Sequence, residues 1–199
     1  FILALMSKEY ALIGPFLLMI YLLFKNGSVK PYVKKLVPLF LIMAAYAVLR
    51  LTVLDFSATV GDNLPKPFFY VPFWIRICTF LKTLPVYFSI LLWPFGLHME
   101  RQMDLAYSIF NPQAFAGLLI LSAIFFTAHR IKKFSIALLF SACWFFVALF
   151  PNSNIIPINA LINEHWLYLP SLGFFVAMAW FIDELSKGKK NCKISQLRR

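Results

Sequence analysis

The sequence predicts an all-α integral membrane protein: a polytopic helical bundle with about five spanning helices and a re-entrant or interfacial helical segment on its outer face. Two observations carry this. First, 61% of the 199 residues are hydrophobic and 18% aromatic, while only 14% are charged; soluble domains hold roughly 45–50% apolar and about 25% charged residues. Lipid is the solvent that suits such a chain. Second, most of the 19 Lys and Arg lie in acid-free stretches at 25–35, 130–133 and 187–199, separated by long apolar runs. Short loops rich in Lys and Arg stay on the cytoplasmic side of a membrane. Glu9, Asp55, Asp62, Glu100, Asp104 and Glu164 fall in the intervening segments, so one face is basic and the other acidic and chemically varied.

Uncharged apolar runs at 10–24, 36–49, 114–128, 134–150 and 166–182 are the candidate spans. A span needs about 17–25 residues, so the shorter runs must recruit flanking polar residues or meet a thinned bilayer. Segment 55–72, with its prolines and the Gly61-Asp62-Asn63 turn signal, reads as an outer loop. Counting sides then places a constraint on 73–97. Were it one more ordinary span, the clusters at 130–133 and 187–199 would both land outside, against the positive-inside pattern. It is therefore expected to enter and leave on the outer side, with Pro85 and Pro94 interrupting it and Arg76, Thr79 and Thr83 on one helical face. Non-helical backbone at membrane depth is tolerated where protein or a watery cavity covers it.

The net charge of +11 raises nucleic acid as a partner, but the basic residues sit at the ends of apolar runs rather than along an aromatic-studded polar groove, which argues against it. The cysteines, Cys78, Cys143 and Cys192, have no paired spacing, so neither a disulfide framework nor a zinc site follows. The chain begins with Phe1, and residues 1–6 read as the tail of an apolar run. It is expected to be a fragment, with a partial multi-span membrane domain over 1–186 and a truncated basic cytoplasmic segment over 187–199. A prokaryotic source would place it in the plasma membrane.

Chemistry-bearing residues concentrate in the outer segments. Lys8 and Glu9 interrupt an apolar stretch; they are either a helix-end pair snorkelling to the headgroups or a cation oriented by its acid to meet a lipid-linked phosphate. Arg76 and Lys82 are either interfacial anchors or a basic wall facing a phosphate. His98, Glu100, Arg101 and Asp104 form a compact charged cluster whose spacing matches no strong metal-ligand pattern, so no metal is expected, and His98 or Glu100 has the residue type of a general base without being assigned that role. Asn154 lies in the turn that begins at Pro151. Glu164 and His165 abut the last apolar run with Tyr168 one turn in, a carboxylate and an imidazole at the mouth of a bundle. Trp166 and Tyr168 also suit a membrane-interface belt.

Ser7-Lys8-Glu9 before a span, the stretch 92–104 after an aromatic segment, and Asn152-Ser153-Asn154 leading to Glu164, Tyr168 and Leu169-Pro170-Ser171 together resemble the membrane domain of GT-C-type glycosyltransferases. The nearest branch is similar to the tetratricopeptide-repeat membrane proteins related to TMTC O-mannosyltransferases. The resemblance covers essentially the whole chain, in order, and would make it the C-terminal half of such a domain. It implies an outward-facing enzyme of inverting type that moves a sugar from a polyprenyl-phosphate donor to a hydroxyl acceptor on a protein or glycan, with membrane lipid and that donor as partners. The catalytic carboxylate is expected upstream of Phe1 and the repeats downstream of Arg199. Lys8, Arg76, Lys82 and His165 would bind the donor phosphate, and Glu9, Asn154, Glu164 and Tyr168 would shape the site. Relatives carry Glu-Arg where this chain has Glu164-His165, which makes phosphate binding there pH-dependent, because an imidazole is charged only part of the time near neutrality. Rival readings are a polytopic transporter, disfavoured because the five apolar runs hold no Asp, Glu, Lys, Arg or His, and a non-catalytic membrane scaffold for a repeat domain.

Overall fold

A computed structural model describes residues 1–52, 71–130, 136–155 and 160–196. The helices are α1 (Ile2–Ser7), α2 (Gly14–Asn26), α3 (Val33–Thr52), α4 (Phe73–Leu92), α5 (Pro112–Arg130), α6 (Ile136–Leu149) and α7 (Pro170–Gln196). Short 3-10 turns lie at Glu9–Ile13, Lys30–Tyr32, Phe150–Asn152 and Glu164–Leu167. The described residues contain no strand; β-type pairing is confined to a bridge between Glu100 and Asn163. Within the described residues, Lys30–Arg50 and Phe73–Leu92 are long and apolar enough to cross a membrane, while 10–26, 112–127 and 136–152 are apolar but shorter.

Local sequence explains the ends. α2 starts with Pro15 in its first turn, where a missing N–H costs nothing, and stops at Gly27, whose φ of 71° suits a residue without a side chain and whose N–H caps the Leu23 carbonyl. Asn111 caps α5, its Oδ1 accepting from the N–H groups of Gln113 and Ala114.

The helices pack in three pairs, with α2 and α7 sharing α6 as their partner. α2 runs antiparallel to α6: the Phe24 and Phe140 rings meet edge to face at 5.7 Å near one end, and the Tyr10 hydroxyl donates to the Ala148 carbonyl at the other. α7 lies antiparallel to α6, with Trp144 Nε1 donating to the Leu169 carbonyl at 3.0 Å. Gly173 lets these two backbones touch, since a methyl there would lie 2.5 Å from the Ser141 carbonyl oxygen. α4 and α5 form the other pair around a core of Cys78, Leu81, Leu84, Tyr87, Ala106 and Ala114 that also takes in Phe145, Leu149 and Ile162.

The α4–α5 crossing rests on a complementary backbone defect. Pro85 supplies no N–H, so the Leu81 carbonyl loses its helical partner. Gly117 packs against that same oxygen, and a methyl at position 117 would lie 1.9 Å from it. The α-carbon hydrogens of a glycine can approach an acceptor this closely, a weak contact that partly replaces the missing bond. In lipid, where apolar burial gives helices little reason to associate, close approach of this kind is a main source of packing energy.

Several expectations change. α4 runs through Pro85 without a break and ends at Leu92, before Pro94, so 73–97 is not a re-entrant pair of half-helices. A proline inside a helix removes one bond and kinks or weakens it, but here the crossing helix covers the exposed carbonyl. The expected span at 166–182 begins only at Pro170, because Glu164–Leu167 is a separate 3-10 turn. The division at 186/187 falls inside α7, which continues to Gln196. The loop 55–70, the basic residues Lys132 and Lys133, and Arg198 and Arg199 lie outside the described residues.

Candidate functional site

The polar segments 98–111 and 151–165 meet directly over α4. Glu100 and Asn163 form the bridge, and the Arg101 N–H donates to the Ile162 carbonyl at 3.2 Å. The Arg101 side chain then clamps the junction: Nε donates to Glu164 Oε1 at 2.5 Å and Nη2 to the Gly96 carbonyl at 2.8 Å. The side chains are 28% exposed for Arg101 and 11% for Glu164, so this ion pair is shielded from much of the solvent that weakens surface pairs.

From there the chain doubles back along α4. Lys82 Nζ donates to the Asp104 carbonyl at 2.9 Å, and one turn away the Ala106 N–H donates to Thr79 Oγ1 at 3.1 Å. The Thr79 hydroxyl in turn donates to the Ile75 carbonyl at 2.7 Å. These bonds explain why an otherwise apolar helix carries Thr79 and Lys82 on its buried side: they bind an extended segment that lacks a ladder of its own, while the buried Thr83 hydroxyl donates within α4 to the Phe80 carbonyl. Lys82 is 9% exposed. Its ammonium has three donors and one acceptor, a neutral carbonyl, with no carboxylate in ion-pair range among the described residues.

Arg76 reaches the other polar segment. Its Nε donates to the Val71 carbonyl at 2.9 Å and Nη1 to the Ile155 carbonyl at 3.3 Å. This puts it beside Asn154, which holds a left-handed backbone, φ 57°, and donates Nδ2 to the carbonyls of Ala160 and Leu161. Asn tolerates that conformation better than most side chains, and its amide closes the loop. Asn154 is thus a loop-tying residue, 4% exposed.

The structure therefore joins Arg76 to the Asn154 loop, Lys82 to the segment carrying Arg101, and Arg101 to Glu164. Lys8 and His165 are exposed. Lys8 shares this end of the bundle because Tyr10, two residues on, bonds Ala148, but its side chain makes no bond to the others among the described residues. His165 meets Trp166 edge to face at 6.0 Å. Tyr168 is 87% exposed and so stands outside the cluster rather than one turn inside a bundle. The side chain of Glu9 lies outside the described residues. The charged cluster at 98–104 is not compact either: Glu100, Arg101 and Asp104 engage three different partners along an extended run. No group of three or more His, Cys, Asp or Glu side chains positioned to hold a metal occurs among the described residues.

Sequence reasoning missed Arg101 as the partner of Glu164, and missed Tyr87. Tyr87 is 1% exposed, and its hydroxyl faces the Asn163 N–H without closing a well-formed hydrogen bond. The side-chain atoms Asn152 Nδ2 and Asn163 Oδ1 are likewise buried and make no hydrogen bond among the described residues. Nothing in the apolar run around Tyr87 signals this. Arg101 carries a readable hint: it and Glu164 are opposite charges within the two polar segments that meet over α4. Compared with protein-family models, curated proteins and solved structures, the chain matches none.

Proposed function

We propose that this chain is part of a multi-pass membrane glycosyltransferase that moves a sugar from a polyprenyl-phosphate donor to a hydroxyl group of a protein or glycan on the outer face. In the reaction the bond between the anomeric carbon and the phosphate oxygen breaks, and a bond from that carbon to the acceptor oxygen forms. The acceptor proton passes to a carboxylate, and polyprenyl phosphate leaves. Lys82 carries the proposal: a nearly buried ammonium with no counter-carboxylate among the described residues calls for an anion, since an unpaired buried charge is costly. Arg101 lies three residues from the carbonyl that holds Lys82, and one Nη of its guanidinium is not engaged by Glu164 or Gly96. A departing phosphate is stabilised by such preorganised cations.

The path of the chain also supports an interfacial α4. Between Leu92 and Ala106 the backbone returns from the end of the helix to the level of Thr79 in an extended form. If α4 crossed the bilayer in contact with lipid, this return would lie in hydrocarbon with its backbone groups unpaired, which membranes do not tolerate unless protein or water covers them. Placing α4 and the return segment along the outer boundary removes the conflict and keeps the stretches 25–35 and 187–196 cytoplasmic.

The test uses the full-length protein in vesicles with polyprenyl-phosphate mannose, the best-known donor in the resembling family. Lys82→Met is expected to lower transfer at least tenfold, the scale of one lost transition-state contact, with helix content unchanged; Lys8→Ala measures whether the exposed lysine contributes. Wild-type turnover in Lys82→Met would remove Lys82 from the site. Substrate flux with no sugar transferred would replace this reading with a transporter.

A further inference from the structure

At the opposite end of the bundle, α2, α6 and α7 enclose an open groove of about 330 Å³ lined by Tyr21, Phe24, Ile136, Ala137, Phe140 and Val176, with Lys25 on its rim. Its size falls at the lower end of small-molecule pockets, roughly 300–1,000 Å³. The interior is apolar and the rim is cationic. Lys25 Nζ donates to the Tyr21 hydroxyl at 3.1 Å and sits 5.3 Å from the centre of the same ring. The tyrosine fixes the ammonium in place and leaves two of its donors for another group. That hydrogen bond also raises the lysine's pKa. The acid-free stretch 25–35 begins at this residue, and Arg130, Lys132 and Lys133 precede α6 in the sequence. We propose that the groove binds one anionic phospholipid of the cytoplasmic leaflet, its acyl chain against Phe24, Phe140 and Val176 and its phosphate at Lys25. Basic pockets between membrane helices on the cytoplasmic side take anionic headgroups in this way, and among the described residues no acidic side chain lines the groove. The inference rests on the membrane reading but not on sugar transfer, so loss of one leaves the other standing.

Native mass spectrometry of the purified full chain, released from detergent with equimolar phosphatidylglycerol and phosphatidylcholine of identical acyl chains, provides the test. Wild type is expected to retain one phosphatidylglycerol about fivefold more than phosphatidylcholine, the discrimination one lysine gives near a membrane surface. Lys25→Gln, a surface change that leaves packing intact, should equalise the two lipids without abolishing retention. Val176→Phe should fill the groove and reduce retention of both. Equal retention by wild type, a preference that survives Lys25→Gln, or a lipid-free dimer covering the groove would each overturn the proposal.

Discussion

Replacing Gly117 by Ala tests the α4–α5 crossing most directly. The new methyl would lie 1.9 Å from the Leu81 carbonyl oxygen, whereas a carbon in contact with such an oxygen normally stays about 3.3–3.6 Å away. The helices must part by about 1.4 Å, and a gap of 0.5–1 Å already forfeits about a quarter to a half of the dispersion attraction across it. Overpacking of this kind costs about 1–3 kcal/mol, and the Leu81 oxygen, already without a helical donor because of Pro85, loses its weak contact as well, about 0.5–1 kcal/mol. Alanine's better helix propensity returns up to about 1 kcal/mol. The net expectation is a loss of about 0.5–3 kcal/mol, read from reversible unfolding in mixed micelles followed by tryptophan fluorescence. Gly14→Ala is the control, because its methyl meets only the Phe1 ring at 3.6 Å and should change stability by less than about 0.5 kcal/mol. If Gly117→Ala unfolds at the wild-type midpoint, the close crossing is not what joins these helices.

Three further outcomes follow from the site. A double-mutant cycle of Arg101→Ala and Glu164→Ala should give a coupling energy of about 1.5–3 kcal/mol, the range for hydrogen bonds to charged groups; Arg101→Ala should be the costlier single change because it strands the less exposed carboxylate, and additivity of the two would contradict the pair. Tyr87→Phe should leave stability unchanged or raise it by up to about 1 kcal/mol, since it removes a buried hydroxyl that closes no well-formed hydrogen bond among the described residues, and a large loss on unfolding would show that the hydroxyl is engaged. Asn154→Ala should cost about 2–3 kcal/mol, through two lost amide hydrogen bonds and a left-handed backbone that alanine adopts poorly, while Asn154→Gly recovers only the backbone share; equal midpoints for the two variants would argue against the conformational part.

The helices were legible because apolar runs and their punctuation are local properties. Gly27 ends α2 and Asn111 opens α5 as their chemistry dictates. What failed were inferences that needed a neighbour. Pro85 looked like an interruption because its cost is visible in sequence, whereas the compensating approach of Gly117, thirty-two residues on, is not. Trp166 looked like part of a span because hydropathy does not distinguish a 3-10 turn from the helix that follows. Lys82 was identified as a candidate from its chemistry, but its burial and its carbonyl partner depend on an extended segment whose course no periodicity encodes. Arg101 and Glu164 stand far apart in the sequence, and charge alone gave no reason to prefer that pairing over Glu100 or Asp104.

α7 runs unbroken for 27 residues from Pro170 to Gln196, about 40 Å at 1.5 Å per residue. Its first turn is tethered through Leu169 to Trp144 and through Glu164–Leu167 to the Arg101 clamp, and its far portion carries the Lys187–Asp183 ion pair. Gly173 seats this helix against α6 at Ser141, so its first turns and the Arg101–Glu164 clamp belong to one packed unit, and a displacement of α7 along α6 would shift the geometry around Glu164 with it.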